Sequence, residues 1–490
     1  MKRLIMTALA CVTALTLSAQ IDTDWNQRVR ESRQNAREEY EKFRQQAEQE
    51  YNDFRRRANE EYARFMADPW TAFETQPAEE IPKLPKPPTP VLADPYSHPK
   101  PLPIPFEGKP LPPMPIDRPQ PVEPLTPIVQ PGAPETVVRF YGTDMVFHFS
   151  TMQPLHMKDA SESSVSSLWK QLSKPDYDNL IAECLQNRSK LNLCDWGYVM
   201  MTEQVAETFC GGHTNEAVVL HMYLLTQSGY QMRIGRAGDR LCVLVGSGAK
   251  IYRYRYFRIN DVKYYCFDNS IDYKTLQIYH RAFPKEKLMS LDMTQPNLAV
   301  KATQPRTISS KRFTLVKANV VLNQNLIDFY NSCPINSEWE LYSKASLSDM
   351  AKDSLYPVLR KAISGLKQDQ AANVLINFVQ TGFEYATDRQ QFGYERPLYP
   401  DESLYYPFCD CEDRSILFAC LVRELLGLDV VLLDYPEHIS TAVCFTEDVE
   451  GDYLMFNNKK YVACDPTYIG ADIGRSMPSM RNYSPTVVTF

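Results

Sequence analysis

The chain has 490 residues, with 53 Lys and Arg against 60 Asp and Glu and a formal net charge of −7. That balance speaks against nonspecific nucleic-acid binding, which needs a surplus of positive charge. The length allows two or three domains. After the amino terminus no apolar run approaches the roughly 18 residues that a membrane-spanning helix requires.

The chain opens with Met1-Lys2-Arg3, an apolar stretch from Leu4 to Leu17 and then Ser18-Ala19-Gln20. A charged start, a short apolar core and small residues form a secretory signal peptide over 1–19, with cleavage near Ala19-Gln20. A periplasmic or secreted protein of Gram-negative type is expected. Ala8-Leu9-Ala10-Cys11 faintly resembles a lipoprotein box, but the apolar run continues past Cys11, so a lipoprotein is the weaker alternative. The mature chain keeps 11 of the 12 cysteines, and an odd count fits one free reactive thiol with others paired or buried. No Cys-x-x-Cys occurs, so zinc is not expected.

Residues 20–76 are highly charged and carry an 11-residue repeat. Tyr40, Tyr51 and Tyr62 recur, as do Phe43, Phe54 and Phe65, and Ala36, Ala47 and Ala58. Eleven residues in three turns keep these on one stripe of a helix, which offers a route to self-association. Residues 77–137 follow as an extended linker; the stretch 77–134 holds 21 of the 36 prolines. Such a segment tends to polyproline II and excludes helix or inner sheet. It is either a spacer or a strap laid over the body.

Residues 138–304 alternate apolar helix and strand patterns, and Tyr252 to Tyr256 alternate Tyr and Arg with the period of a strand. Residues 305–344 form a connecting segment, with a strand expected from Phe313 to Leu322. Residues 345–490 carry the chemistry. Cys409-Asp410-Cys411-Glu412-Asp413 leads into an apolar helix ending before Gly427, where Asp410 and Asp413 have the spacing of a capping box. A thiol at a helix start, partnered by histidine, ionises at a pKa of roughly 3.5–7.5. His438 follows Cys411 by 27 residues at the start of a strand, and Asp465 follows His438 by 27 at the end of another. Adjacent strands hold such an imidazole and carboxylate side by side. Thiol, imidazole and carboxylate in that order are the parts of a cysteine-nucleophile triad.

This segment resembles the transglutaminase-like superfamily of papain-like cysteine enzymes, whose core reads roughly Asp-Cys-x-Asp, then His on one strand and Asp on the next. The matching positions are Asp410-Cys411-Glu412-Asp413, His438 and Asp465, with Phe383-Glu384-Tyr385, Pro400 and Glu402 as the approach. The family's usual Gly before Asp-Cys is Cys409 here. That leaves a second thiol in view, and Cys411 is preferred because the Asp-x-x-Asp register belongs to it. The resemblance implies attack of the Cys411 thiolate on an amide carbonyl of a protein or peptide, with His438 as base and then acid and Asp465 orienting it. Asp410 and Asp413 support the site. The Cys411 backbone N–H is an oxyanion donor, with Gln390 and Gln391 as weak side-chain candidates. A peptidase or amidase is favoured over a transamidating crosslinker, and no cofactor is implied. The rival class is a noncatalytic envelope scaffold that uses its units for recognition.

A degenerate copy is expected upstream. A shift of 198 lays Gly427 on Gly229, Asp413 on Asn215, Cys411 on His213 and His438 on Arg240; a shift of 197 lays Asp465 on Asp268. Neither imidazole nor guanidinium replaces the lost groups, so this copy lacks the triad. His213 and His221 hint at a metal, but no third ligand is spaced for it. The expected fold is therefore α+β: two papain/transglutaminase-like units, each a helix packed on an antiparallel sheet, after a charged helix and a Pro-rich linker.

Overall fold

The structure, a computed structural model, describes residues 33–35, 37–40, 42, 46, 49–50, 52–81, 89–95, 97, 100–106, 134–149, 154–270 and 273–490. The expected signal peptide, its cleavage point and residues 107–133 lie outside them. The fold is mixed helix and antiparallel sheet, the α+β class. Among the described residues no helix is long and apolar enough to cross a membrane.

The arm is helical over its described residues and ends at Met66, not at residue 76. Pro69 explains the early stop: it cannot continue a helix, and it pushes the residue before it toward extended backbone. Residues 66–490 form one compact unit. Within it the chain runs through strand β1 (Thr71–Glu74), the hairpin β2 (Thr136–Phe140) and β3 (Thr143–Phe147), helices α1 (Asp195–Cys210) and α2 (Asn215–Gln227), and strands β4 (Met232–Ala237), β5 (Arg240–Ser247), β6 (Tyr256–Ile259), β7 (Val262–Tyr265) and β8 (Thr275–Tyr279). The hairpin β9 (Arg306–Ser309) and β10 (Lys317–Val320) follows. Then come helices α3 (Gln368–Gly382) and α4 (Cys411–Leu426), and strands β11 (Asp429–Tyr435), β12 (His438–Cys444), β13 (Tyr453–Phe456), β14 (Lys459–Cys464) and β15 (Thr486–Val488).

The first sheet has the order β1-β8-β4-β5-β7-β6 and the second β15-β11-β12-β14-β13. Apart from β1 the two follow one connection pattern: a hairpin, a second hairpin whose return strand joins the first, and a last strand on the opposite edge. The registers agree as well. Val430 faces Val443 as Met232 faces Val245, and Tyr435 faces His438 across a two-residue loop as Ala237 faces Arg240. Tyr453 faces Val462 as Tyr256 faces Tyr265. A one-residue slip would turn every side chain to the other face, so register agreement is a stricter match than strand order.

Two expected strands change. The Tyr252–Tyr256 alternation is not a strand before Tyr256: Arg253 takes a left-handed φ of 68°, and its N–H donates to the Glu79 carbonyl at 2.7 Å. The strand expected over Phe313–Leu322 shrinks to β10, because Val316 N–H turns back to the Phe313 carbonyl at 2.8 Å and Asn323 caps the helix Gln324–Ser332.

The described part of the proline-rich segment is a strap. Ala93 N–H donates to the Ile469 carbonyl at 2.9 Å, and Ile469 N–H returns to Val91 at 2.9 Å. Ile104 N–H reaches the Tyr453 carbonyl at 2.7 Å, and Leu102 N–H reaches Asp452 Oδ1 at 2.9 Å. Proline offers no N–H, so the strap attaches through isolated bonds at its non-proline residues. Ile104 and Phe106 pack on the core of the second sheet.

Candidate active site

Helix α4 is buried on nearly all sides from Cys411 to Val422 and packs across β11 and β12 on one side and α3 on another. Gly427 ends it with φ 66°, the left-handed stop that glycine adopts without strain. At its start Asp410 N–H donates to Asp413 Oδ2 at 3.4 Å, and Asp413 Oδ1 accepts the Leu398 N–H at 2.9 Å. Asp410 Oδ2 accepts the Asp388 N–H at 3.2 Å. Cys411 is thus the first helical residue, where backbone N–H groups lack intrahelical partners and favour a negative charge.

His438 opens β12 directly after the tight turn from β11. Its Nε2–H donates to Asp465 Oδ2 at 2.9 Å, with both side chains almost wholly buried. Asp465 Oδ1 accepts the Thr467 and Tyr468 N–H groups at 2.9 and 3.1 Å. With Nε2 committed to the carboxylate, Nδ1 is the nitrogen left to serve a thiol. One bond fixes the helix start against this strand: Ser415 Oγ, one turn after Cys411, donates to the Ile439 carbonyl beside His438 at 3.0 Å.

The thiol's own surroundings differ from expectation. Cys411 Sγ donates to Glu412 Oε2 at 3.1 Å. Asp410, Cys411 and Glu412 bring their ligand atoms within 4.8 Å of one another, and so do Asp388, Glu395 and Glu412. Carboxylates around a thiol oppose its ionisation, against the helix terminus and the histidine. Cys409 is also buried, and burial pushes its thiol up to about 12. No disulfide joins the described cysteines, and most of them are buried, which is the alternative to pairing that the odd count left open.

Three side chains that sequence reading missed hold this arrangement. Arg414, 1% exposed, donates to the carbonyls of Cys409, Gln380 and Phe383 at 3.2, 3.1 and 3.1 Å. Gln380 Nε2 donates to the carbonyls of Asp465, Tyr468 and Ala471 at 3.2, 2.9 and 2.9 Å, and so fixes the loop that carries the carboxylate. Glu412 is the third. Gln380 shares its helix face with Asn373 and Asn377, so its spacing did not single it out, and Arg414 gave no signal either. Of the two glutamines, Gln390 spends its carbonyl on Thr387 N–H at 2.9 Å as a helix cap. Gln391 Nε2 is buried and has no hydrogen-bond partner among the described residues.

The aligned positions upstream also meet. His213 Nε2–H donates to Asp268 Oδ2 at 3.3 Å, Arg240 Nη2 lies 3.6 Å from the same oxygen, and Arg240 also donates to Ser270 Oγ at 2.8 Å. The chain matches no protein-family model, no curated protein and no solved structure.

Proposed function

We propose that the chain is a transglutaminase-like cysteine hydrolase acting on amide bonds of proteins or peptides, and that residues 138–304 are a copy of its catalytic unit without the triad. The observation that carries the reading is the His438–Asp465 bond beside a helix whose first residue is Cys411. The matched registers of the two sheets support the copy.

In this mechanism His438 Nδ1 takes the thiol proton and the sulfur attacks the amide carbonyl. The developing oxyanion is met by the Cys411 N–H and the unpartnered Gln391 amide. His438 returns the proton to the leaving nitrogen, the C–N bond breaks and a thioester remains. Water, deprotonated by His438, then releases the acid and restores the thiol. Asp465 keeps the ring in the tautomer that presents Nδ1.

A noncatalytic reading is favoured by one observation: Cys411, His438 and Asp465 are only 2–3% exposed. Incubating the full chain with a peptide library in 18O-water separates the two. New carboxyl termini carrying one heavy oxygen, absent with Cys411→Ser, support the hydrolase; a library left unchanged by the native chain supports the scaffold.

A further inference from the structure

A cleft open to solvent lies against α1 and α2, with Trp196, Met200 and Phe267 among its apolar walls. Its polar side is built in an orderly way. Glu203 and Glu207 stand one turn apart on α1 and therefore on one face. Gly211, at φ 75°, ends that helix, and the chain returns so that His213 Nδ1–H donates to Glu207 Oε1 at 2.7 Å. The ligand atoms of Glu203, Glu207 and His213 lie within 4.8 Å of one another. Donors about 2.1 Å from a shared ion are separated by roughly 3–4 Å, so the hydrogen-bonded His213–Glu207 pair opens slightly while Glu203 keeps within reach. Asp268 holds the far nitrogen of the ring at 3.3 Å, which is the carboxylate–histidine pattern seen behind metal-ligating imidazoles.

A second feature faces the same cleft. His221 is 6% exposed, and its Nε2–H donates to the Val199 carbonyl at 3.0 Å. That bond fixes the tautomer and leaves a lone pair on Nδ1, to which no described residue donates, on a ring that lines the cleft. Burial pushes this histidine down to about 4, so the lone pair persists at neutral pH. Glu203, Glu207 and His213 line the same cleft as this ring.

We propose that this cleft binds a first-row divalent cation of the zinc class through Glu203, Glu207 and Nδ1 of His213, with Asp268 orienting the ring and open coordination positions facing the cleft. The spacing of His213 and His221 offered no third ligand in the sequence; α1 supplies two carboxylates from the preceding helix. Binding exchanges the Nδ1 proton of His213 for the ion and releases that proton to solvent. The inference stands whether or not Cys411 is a nucleophile.

Cobalt(II) tests it optically on the chelator-treated full chain. One equivalent is expected to give visible d–d bands with no thiolate charge-transfer band, and one equivalent of zinc is expected to displace it. His213→Gln and Glu203→Gln should each weaken binding by about 100-fold or more, and Asp268→Asn by about 10–100-fold, with unchanged circular dichroism. Glu203→Gln keeps the side-chain shape and carries the test if His213→Gln misfolds. Absence of any bands overturns the proposal. Bands that persist in Glu203→Gln, or a thiolate band that disappears in Cys411→Ser, overturn it equally.

Discussion

Around the two sheets different side chains stand at two of three equivalent places, with aspartate kept at the third, and the contrast shows what the backbone decides and what it leaves to the residue. At the exit of the tight hairpin the second sheet has His438, with 4% of its side chain exposed, while the first has Arg240 with 44% exposed. Both reach an aspartate on the neighbouring stretch of chain. The imidazole can release and recover a proton near neutral pH; the guanidinium cannot. At the helix start a thiol stands against an imidazole. The hairpin exit thus offers the carboxylate a titratable base in one sheet and a fixed cation in the other, where His213 adds a second contact at 3.3 Å. An open cleft lies beside the first sheet, whereas Cys411, His438 and Asp465 are enclosed beside the second.

The largest expected effect breaks this contrast at its source. Cys411→Ala should abolish peptide hydrolysis, a fall of about 10⁴-fold or more in kcat. Asp465→Asn should cost about 10⁴-fold by presenting the wrong tautomer of His438, whereas Asp268→Asn should leave hydrolysis unchanged. Residual activity compared across these variants checks the asymmetry.

Next in size is a structural effect. Arg414→Met leaves three buried carbonyls without a donor, each worth about 1–3 kcal/mol. Denaturant unfolding should show a loss of roughly 3 kcal/mol or more, against less than about 0.5 kcal/mol for Arg240→Met at the exposed hairpin exit of the first sheet.

Glu412→Gln sharpens the comparison in the opposite direction. It removes a negative charge beside Cys411 and so favours the thiolate. Alkylation of Cys411 near pH 6 should accelerate several-fold; unchanged or slower labelling would show that Glu412 does not oppose ionisation of the thiol.

The smallest effect concerns pH. Glu203, raised from 4.5 to about 7, binds its proton more tightly folded than unfolded. The folded state therefore carries more protons between those values, and this group's contribution falls as pH rises from about 4.5 to 7. Glu203→Gln should remove that component from a plot of unfolding free energy against pH.

Much of the second unit was legible because its signals are local. Asp410 and Asp413 mark a helix start, Gly427 marks its end, and Val430 to Leu433 form a short apolar run with Pro436 after it. The helix and strands expected from these residues match α4, β11, β12 and β14. The edge strands β13 and β15 left no such mark, since short edges lack a strong period. Long-range features were hidden for a different reason. The strap on Ile469 and the Gln380 bonds to the Asp465 loop depend on tertiary approach, which no residue spacing encodes. The proline count excluded helix in residues 77–134 but did not choose between spacer and strap. Tyr252 to Tyr256 show the converse error, a clean alternation overridden by one left-handed residue.

The most direct test is the pH dependence of alkylation at Cys411, followed by mass spectrometry alongside Cys409 in the same chain. The account predicts that Cys411 reacts quickly with a midpoint below about 7, that this midpoint rises toward about 8.5 in His438→Asn, and that Cys409 stays slow throughout. A Cys411 midpoint near that of an ordinary thiol and unmoved by His438→Asn would contradict it.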